Sequence, residues 1–308
     1  MQRYDGHKEL PSGWQPCVVA IGIFDGVHRG HQVLLKRALV LAKELQCQAA
    51  VYTFFPHPAR VLSDHGEPKL LESLDTRLDH FSQMGFDACI VEPFNKTFAQ
   101  ISAKEFIKDI LVNKLCGRAV VVGEGFHFGA SQQGTTAMLL QHAKHLNFAA
   151  TIVTLQKLTE HTISSTNIRR AIVLGEIKTA NEFLGRPFML HGRVIHGDGR
   201  GRTLGFPTAN LDYDAEVLPA TGVYATWSLG KFGKVMSVTN VGSAPTFARK
   251  NLRVECFLLD FSRDLYGELL TLQFVDRIRS EQKFSDITVL KKQIEDDIRQ
   301  RRILIAQS

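Results

Sequence analysis

The chain has 308 residues, 44% hydrophobic and 22% charged, with a formal net charge of +6. That length supports two domains with separate cores, and the composition is that of an ordinary globular protein. No apolar run reaches the ~18 to 20 residues of a membrane helix, and the stretch from Met1 to Glu9 holds no apolar signal region. A cytoplasmic protein with no membrane partner is therefore expected. Five cysteines, Cys17, Cys47, Cys89, Cys116 and Cys256, stand far apart and show neither metal-type spacing nor a disulfide framework. Lys and Arg are scattered apart from Arg299, Arg301 and Arg302. Such a distribution suits polyphosphate nucleotides better than nucleic acid.

The first half alternates apolar strands, expected at 17–24, 49–55, 88–92, 118–123 and 150–154, with amphipathic helices. Leu34, Ala38, Leu41 and Leu45 recur at helical spacing between the first two strands. Ser102-x-x-Glu105 ahead of Phe106, Ile110 and Leu111 reads as a capping box. This order predicts a Rossmann-like α/β domain with a parallel sheet. Beyond about residue 187 the pattern changes to short β-rich runs at 189–195, 222–229, 234–241, 252–261 and 269–274. They predict a small antiparallel β-barrel, closed by a terminal helix with Ile287, Leu290, Ile294 and Ile298 on one stripe. Leu184-Gly185-Arg186-Pro187 ends a helix and marks the boundary, giving domains 1–186 and 187–308.

Two segments carry phosphate-handling chemistry. Gly22-Ile23-Phe24-Asp25-Gly26-Val27-His28-Arg29-Gly30-His31 follows the first strand and opens a helix. A helix N-terminus offers unpaired N–H groups and partial positive charge, a natural anion seat. The three-residue spacing puts both imidazoles on one side of the first turn. Alone, this motif is equally a capped helix start; after a strand and among three glycines it favours phosphate. Ser164 and Ser165, with Arg169 one turn later, form a second candidate anion cradle at another helix start.

In the second half, the glycine-rich run from Gly197 to Gly205 leads into Phe206-Pro207-Thr208-Ala209-Asn210. Thr208 and Asn210 are two apart in an extended segment, so their oxygens point the same way and suit Mg²⁺ beside nucleotide phosphates. Read alone, the run serves as well as a hairpin loop. Glu255 interrupts the apolar Val254 to Leu259 run, which reads as a strand buried on both faces, and so is expected to be a general base. Its alternative is a carboxylate at a barrel end paired with Arg253 or another cation.

These motifs resemble the bacterial bifunctional riboflavin kinase/FMN adenylyltransferase (FAD synthetase) family. The resemblance spans nearly the whole chain, adding Leu184-Gly185-Arg186-Pro187, Gly222-Val223-Tyr224, Asn240-Val241-Gly242, Pro245-Thr246-Phe247, Asp264-Leu265-Tyr266-Gly267 and Arg279-x-Glu281. It implies FMN formation from riboflavin and ATP in the barrel, then FAD formation from FMN and ATP in the α/β domain. By the same resemblance Gly22, Phe24, Asp25, Gly30, Ser164, Ser165 and Arg169 hold ATP phosphates, and His28 and His31 steady the leaving pyrophosphate. In the barrel, Gly201, Arg202, Gly205, Pro207, Thr208 and Asn210 bind Mg-ATP, Glu255 deprotonates riboflavin, and Arg279 closes over the flavin. The chain departs from the family at Phe55, Gly125, His127 and Gln132. Those departures motivate a second reading, a riboflavin kinase with a weakened adenylyltransferase half; a basic barrel binding RNA is a third, for which the strands show no aromatic ladder.

Overall fold

The computed structural model describes residues 1–63, 68–154, 157–158, 161–243 and 252–305, so the Pro245-Thr246-Phe247 motif lies outside the described residues. The chain divides into two compact units, Met1–Ser165 and Thr166–Ser308.

In the first unit, β1 (Gln2–Tyr4), β2 (Cys17–Ile21), α1 (Arg29–Glu44), β3 (Gln48–Phe55), α2 (Pro58–Leu62), α3 (Leu74–Met84) and β4 (Ala88–Pro93) come first. Next are α4 (Ala103–Glu105), a π-helix over Phe106–Lys114, β5 (Gly117–Gly123), α5 (Thr136–Leu146), β6 (Ala149–Val153) and a small hairpin of β7 (Lys157–Leu158) and β8 (His161–Thr162). Strands β1 to β6 make one sheet in the order β1-β4-β3-β2-β5-β6, with every neighbour parallel. Every residue of β2 is buried because alternate side chains feed two cores. Cys17, Val19 and Ile21 join Tyr52, Phe106 and Leu139 on one face, and Val18 and Ala20 join Leu35, Ala38 and Phe81 on the other. Two covered faces are what a parallel sheet requires.

The elements follow local chemistry closely. Ser102 and Glu105 form the expected capping box, with Glu105 N donating to Ser102 Oγ at 3.2 Å and Ser102 N to Glu105 Oε2 at 2.9 Å. In α1 the buried stripe is Leu34, Leu35, Ala38 and Ala42, not the expected one, for Leu45 is the exposed cap. Strand β2 also stops three residues short of expectation. Phe24 (φ 54), Gly26 (φ 82) and Val27 (φ 34) take left-handed backbone and turn the chain out of the sheet.

The second unit holds most of α6 (Ser165–Leu174), then α7 (Ile177–Leu184), β9 (Phe188–Ile195), α8 (Arg200–Leu204), β10 (Ala209–Tyr213), β11 (Gly222–Gly230), β12 (Gly233–Ser243), β13 (Leu252–Leu258), β14 (Leu269–Ser280) and α9 (Ile287–Ile305). The strands close a barrel in the order β10-β13-β12-β11-β14-β9. Asn181 of α7 docks on it, its amide donating to Phe274 O at 2.9 Å and accepting from Phe188 N at 2.7 Å. Inside, Thr226, Ser228, Ser237 and Thr239 are fully buried and satisfy one another through hydroxyl contacts of 2.7–2.8 Å.

The terminal helix packs by the face its apolar stripe marks, with Leu290, Ile294 and Ile298 half-buried and the first turn left out. Ile287 is 64% exposed, while Asp297 and Arg301 are buried. Arg301 Nε donates to Thr226 O at 3.0 Å, and its guanidinium lies 4.7 Å from the Trp227 ring centre. Charged groups reach the core here because each meets a partner there.

Candidate active sites

The strand order reverses at β2, whose neighbours are β3 and β5. In open parallel sheets such a switch point opens a crevice at the carboxyl ends of the strands. Here a cavity of about 1360 Å³ lies there, lined by Gly22 and Ile23 after β2, Phe54 of β3, Phe94 after β4 and Gly125 after β5. Phe98, Phe106, Phe126 and Phe128 complete an aromatic wall. Among the described lining residues Lys96 is the one permanent charge, and no carboxylate faces in. Three of the four positions where the chain departs from the family it resembles, Gly125, His127 and Gln132, line this cavity. Phe55 does not, and is 40% exposed. Sequence reading missed Lys96 and the aromatic wall, because those residues are dispersed over four separate segments.

The same turn carries the imidazole pair. His28 is the N-cap of α1, its Nδ1 accepting from His31 N at 3.3 Å. That role leaves the proton of a neutral ring on Nε2. The two rings stack, 3.5 Å between centroids and 18° between planes, as their spacing predicted. A Cβ on Gly30 would stand 3.3 Å from the His28 ring, so glycine permits the stack's close approach. Phe24 and Asp25 are buried. Phe24 meets His31 edge to face at 5.3 Å, and Gly22 makes room for the Phe24 ring, which would lie 2.9 Å from an added Cβ. Asp25 Oδ1 accepts from Leu71 N at 3.0 Å. Ser165 Oγ donates to Asp25 O at 2.8 Å, which ties the second serine motif to the first glycine motif. Ser164 lies beside it, half-buried. Arg169, in the second unit, donates from Nη2 to Thr166 Oγ1 at 3.4 Å.

In the barrel, register makes the site. Glu255 of β13 pairs with Asn210 of β10 on one side and Asn240 of β12 on the other. Directly opposed residues share a face, so two carboxamides flank one carboxylate. Strand β13 alternates, with Val254, Cys256 and Leu258 inward and Arg253, Glu255 and Phe257 half-buried on the outer face. Glu255 is therefore not buried on both sides, as its apolar neighbours suggested. Its side chain is 27% exposed and lies 3.4 Å from Arg253 Nη1. The glycine loop covers this face. A Cβ on Gly197 would stand 2.1 Å from Asn210 Nδ2, and one on Gly201 would stand 2.4 Å from Phe206 O and 3.2 Å from Thr208 Oγ1. Gly201, Arg202 and the left-handed Gly205 (φ 91) belong to α8 and its cap; Pro207 is exposed just before β10.

Arg279 forms a bidentate pair with Asp297 of α9. Its Nε and Nη2 donate to Asp297 Oδ1 and Oδ2, each at 2.9 Å. Among the described residues no cluster of three or more His, Cys, Asp or Glu is placed to hold a metal. The oxygen-bearing side chains at the barrel site include Thr208, Asn210, Asn240 and Glu255.

A switch-point cavity beside a helix N-terminus, joined to a barrel with a carboxylate under a glycine loop, defines a two-domain, nucleotide-dependent transferase. The FAD synthetase family profile matches residues 10–167, and the riboflavin kinase profile matches 184–305. The bifunctional riboflavin kinase/FMN adenylyltransferase of Bacillus subtilis is 39% identical over 94% of this chain and 93% of its own length. Its Haemophilus influenzae counterpart is 38% identical over 92% of both. A solved structure described as a macrolide-efflux protein from Streptococcus pneumoniae superposes with a TM-score of 0.89 at 31% identity, covering 97% of this chain and 98% of that one. Among the described residues no helix is long and apolar enough to cross a membrane. The chain belongs to the bifunctional riboflavin kinase/FMN adenylyltransferase family and carries both of its domains.

Proposed function

We propose that the barrel phosphorylates riboflavin with ATP to give FMN and ADP, and that the parallel-sheet domain adenylylates FMN with a second ATP to give FAD and pyrophosphate. The domain boundary falls at 186/187, beside the Gly185 cap of α7. What carries the reading is the presence of two separately built seats: the switch-point cavity and the Asn210–Glu255–Asn240 row. At about 1360 Å³ the cavity exceeds the roughly 300–1,000 Å³ of a single-ligand pocket, which supports room for a flavin nucleotide and ATP together.

In the barrel, Glu255 takes the proton of the terminal ribityl hydroxyl as that oxygen bonds to the γ-phosphorus and the bond to ADP breaks. Asn210 and Asn240 stand on either side of Glu255 in strand register. The Gly197–Gly205 backbone wraps the triphosphate with N–H groups. Thr208 and Asn210 offer hard oxygens that fit Mg²⁺, which would neutralise phosphate charge there; the fit rests on glycine at 197, where any side chain would fill the cradle. In the sheet domain, an FMN phosphate oxygen attacks the α-phosphorus and pyrophosphate departs. The α1 N-terminus and Nε2–H of His28 stabilise that developing charge, with His31 stacked beside it.

Product analysis by chromatography tests the division of labour. Glu255→Gln is expected to lose FMN formation by about 10² to 10⁴ while still adenylylating supplied FMN. His28→Ala combined with His31→Ala should do the reverse. Loss of both reactions in either folded variant, or unchanged FAD output from the double histidine variant, refutes the assignment.

A further inference from the structure

Three half-buried residues project from the outer face of β13: Arg253, Glu255 and Phe257. Arg253 Nη1 donates to Asp198 Oδ2 at 2.8 Å and stands 3.4 Å from Glu255 Oε1. Asp198 belongs to the glycine loop. Just past the far end of that loop, Phe206 meets Phe257 edge to face, centroids 5.7 Å apart at 89°. The segment is therefore held to β13 at two points, and Glu255 lies between their two strand residues. One foot is apolar; the other is a single guanidinium touching both the loop and the carboxylate.

We propose that Arg253 is a positioning residue for riboflavin phosphorylation: its guanidinium fastens the glycine loop, through Asp198, to Glu255, so that one side chain sets both the nucleotide seat and the base. The proposal rests on the kinase reading of the barrel. The bridge contributes little to stability, since the side chains of Arg253, Asp198 and Glu255 are 30%, 47% and 27% exposed and ion pairs in that setting are weak. Its consequence is geometric. A displacement of about 1 Å in a reacting group can cost about a hundredfold in rate, and the planar, rigid guanidinium suits two fixed acceptors better than an ammonium does.

The test uses the full chain with Arg253→Met, Arg253→Lys, Asp198→Asn and the Arg253→Met/Asp198→Asn double variant. Hydrogen exchange at the 197–205 amides reads the tether, and steady-state phosphorylation of riboflavin reads its effect. Arg253→Met is expected to speed loop exchange, raise KM for ATP about tenfold and lower kcat about tenfold. Asp198→Asn should speed exchange and raise KM for ATP with kcat nearly kept. The double variant should be no worse than Arg253→Met, and Arg253→Lys should recover part of the loss. Adenylylation of supplied FMN reports that each variant is folded. Wild-type loop exchange and KM for ATP in Arg253→Met would overturn the proposal, as would single losses that multiply in the double variant. A wild-type chain that makes no FMN from riboflavin refutes the kinase reading instead, while the exchange comparison still decides the tether.

Discussion

Gly197 and Glu92 show how much a single residue governs. Gly197 lies so close over Asn210 that an added Cβ would fall 2.1 Å from Nδ2. Gly197→Ala must push either the loop or the carboxamide away, and kinase kcat/KM is expected to fall about 10- to 100-fold, or ~1.4–2.7 kcal/mol. Gly13→Ala, where nothing lies within 4 Å, should leave it unchanged in the same steady-state assay. Glu92 is a buried carboxylate behind the cavity's aromatic wall, its Oε2 accepting from His7 N at 2.9 Å, His7 Nδ1 at 2.7 Å and Tyr52 Oη at 2.7 Å. Burial alone would raise its carboxyl, but the His7 and Tyr52 hydrogen bonds outweigh that and hold it below the ordinary range. A depressed carboxylate stabilises the fold above its unfolded pKa and loses that contribution as pH falls through the folded one. Glu92→Gln should therefore lower Tm by a few degrees at pH 7, about 1–3 kcal/mol. In thermal melts the gap to wild type should narrow as pH drops below about 4.3.

Elements here are fixed as much by polar anchors as by apolar faces. Helix α9 packs by the face of Leu290, Ile294 and Ile298, and the most buried positions on that face are Asp297 and Arg301. Asp297 is 3% exposed on its side chain and pairs with Arg279, at 16%, on the late part of β14. That part of β14 escaped sequence reading, which ended the strand at 274; it continues to Ser280 by pairing with β11 across two irregularities in register. Removing one partner of a buried ion pair strands the other. Asp297→Ala is expected to cost about 3 kcal/mol in urea unfolding, with a midpoint shift that exceeds that of Arg302→Ala, whose partner Asp260 is exposed.

For the whole molecule, the two proposed phosphate seats in two different folds predict two ATP sites per chain. Calorimetric titration with Mg-ATP should resolve two, and combined His28→Ala and His31→Ala should weaken one while sparing the other; a single site in the wild type would contradict the two-seat account. Much of this architecture was legible beforehand. Alternating apolar runs gave the parallel sheet, since strands such as β2 that are buried on both faces must be apolar at every position. Shorter runs with turn residues gave the barrel. The His28–His31 pair was equally readable, because a three-residue spacing at a helix start fixes relative position through local geometry. The burial expected of Glu255 was misread: its neighbours are apolar, yet strand alternation turns it outward. The chain alone thus determined the element types and the pairing of His28 with His31 at a helix start, products of interactions within a few residues, and its motifs pointed to the two domains by family resemblance. Only the tertiary structure decided that Asn210 and Asn240 flank Glu255, that Asp198 meets Arg253, and that scattered phenylalanines wall one cavity. Those are meetings between residues tens of positions apart, set by strand order and register, and local sequence carries neither.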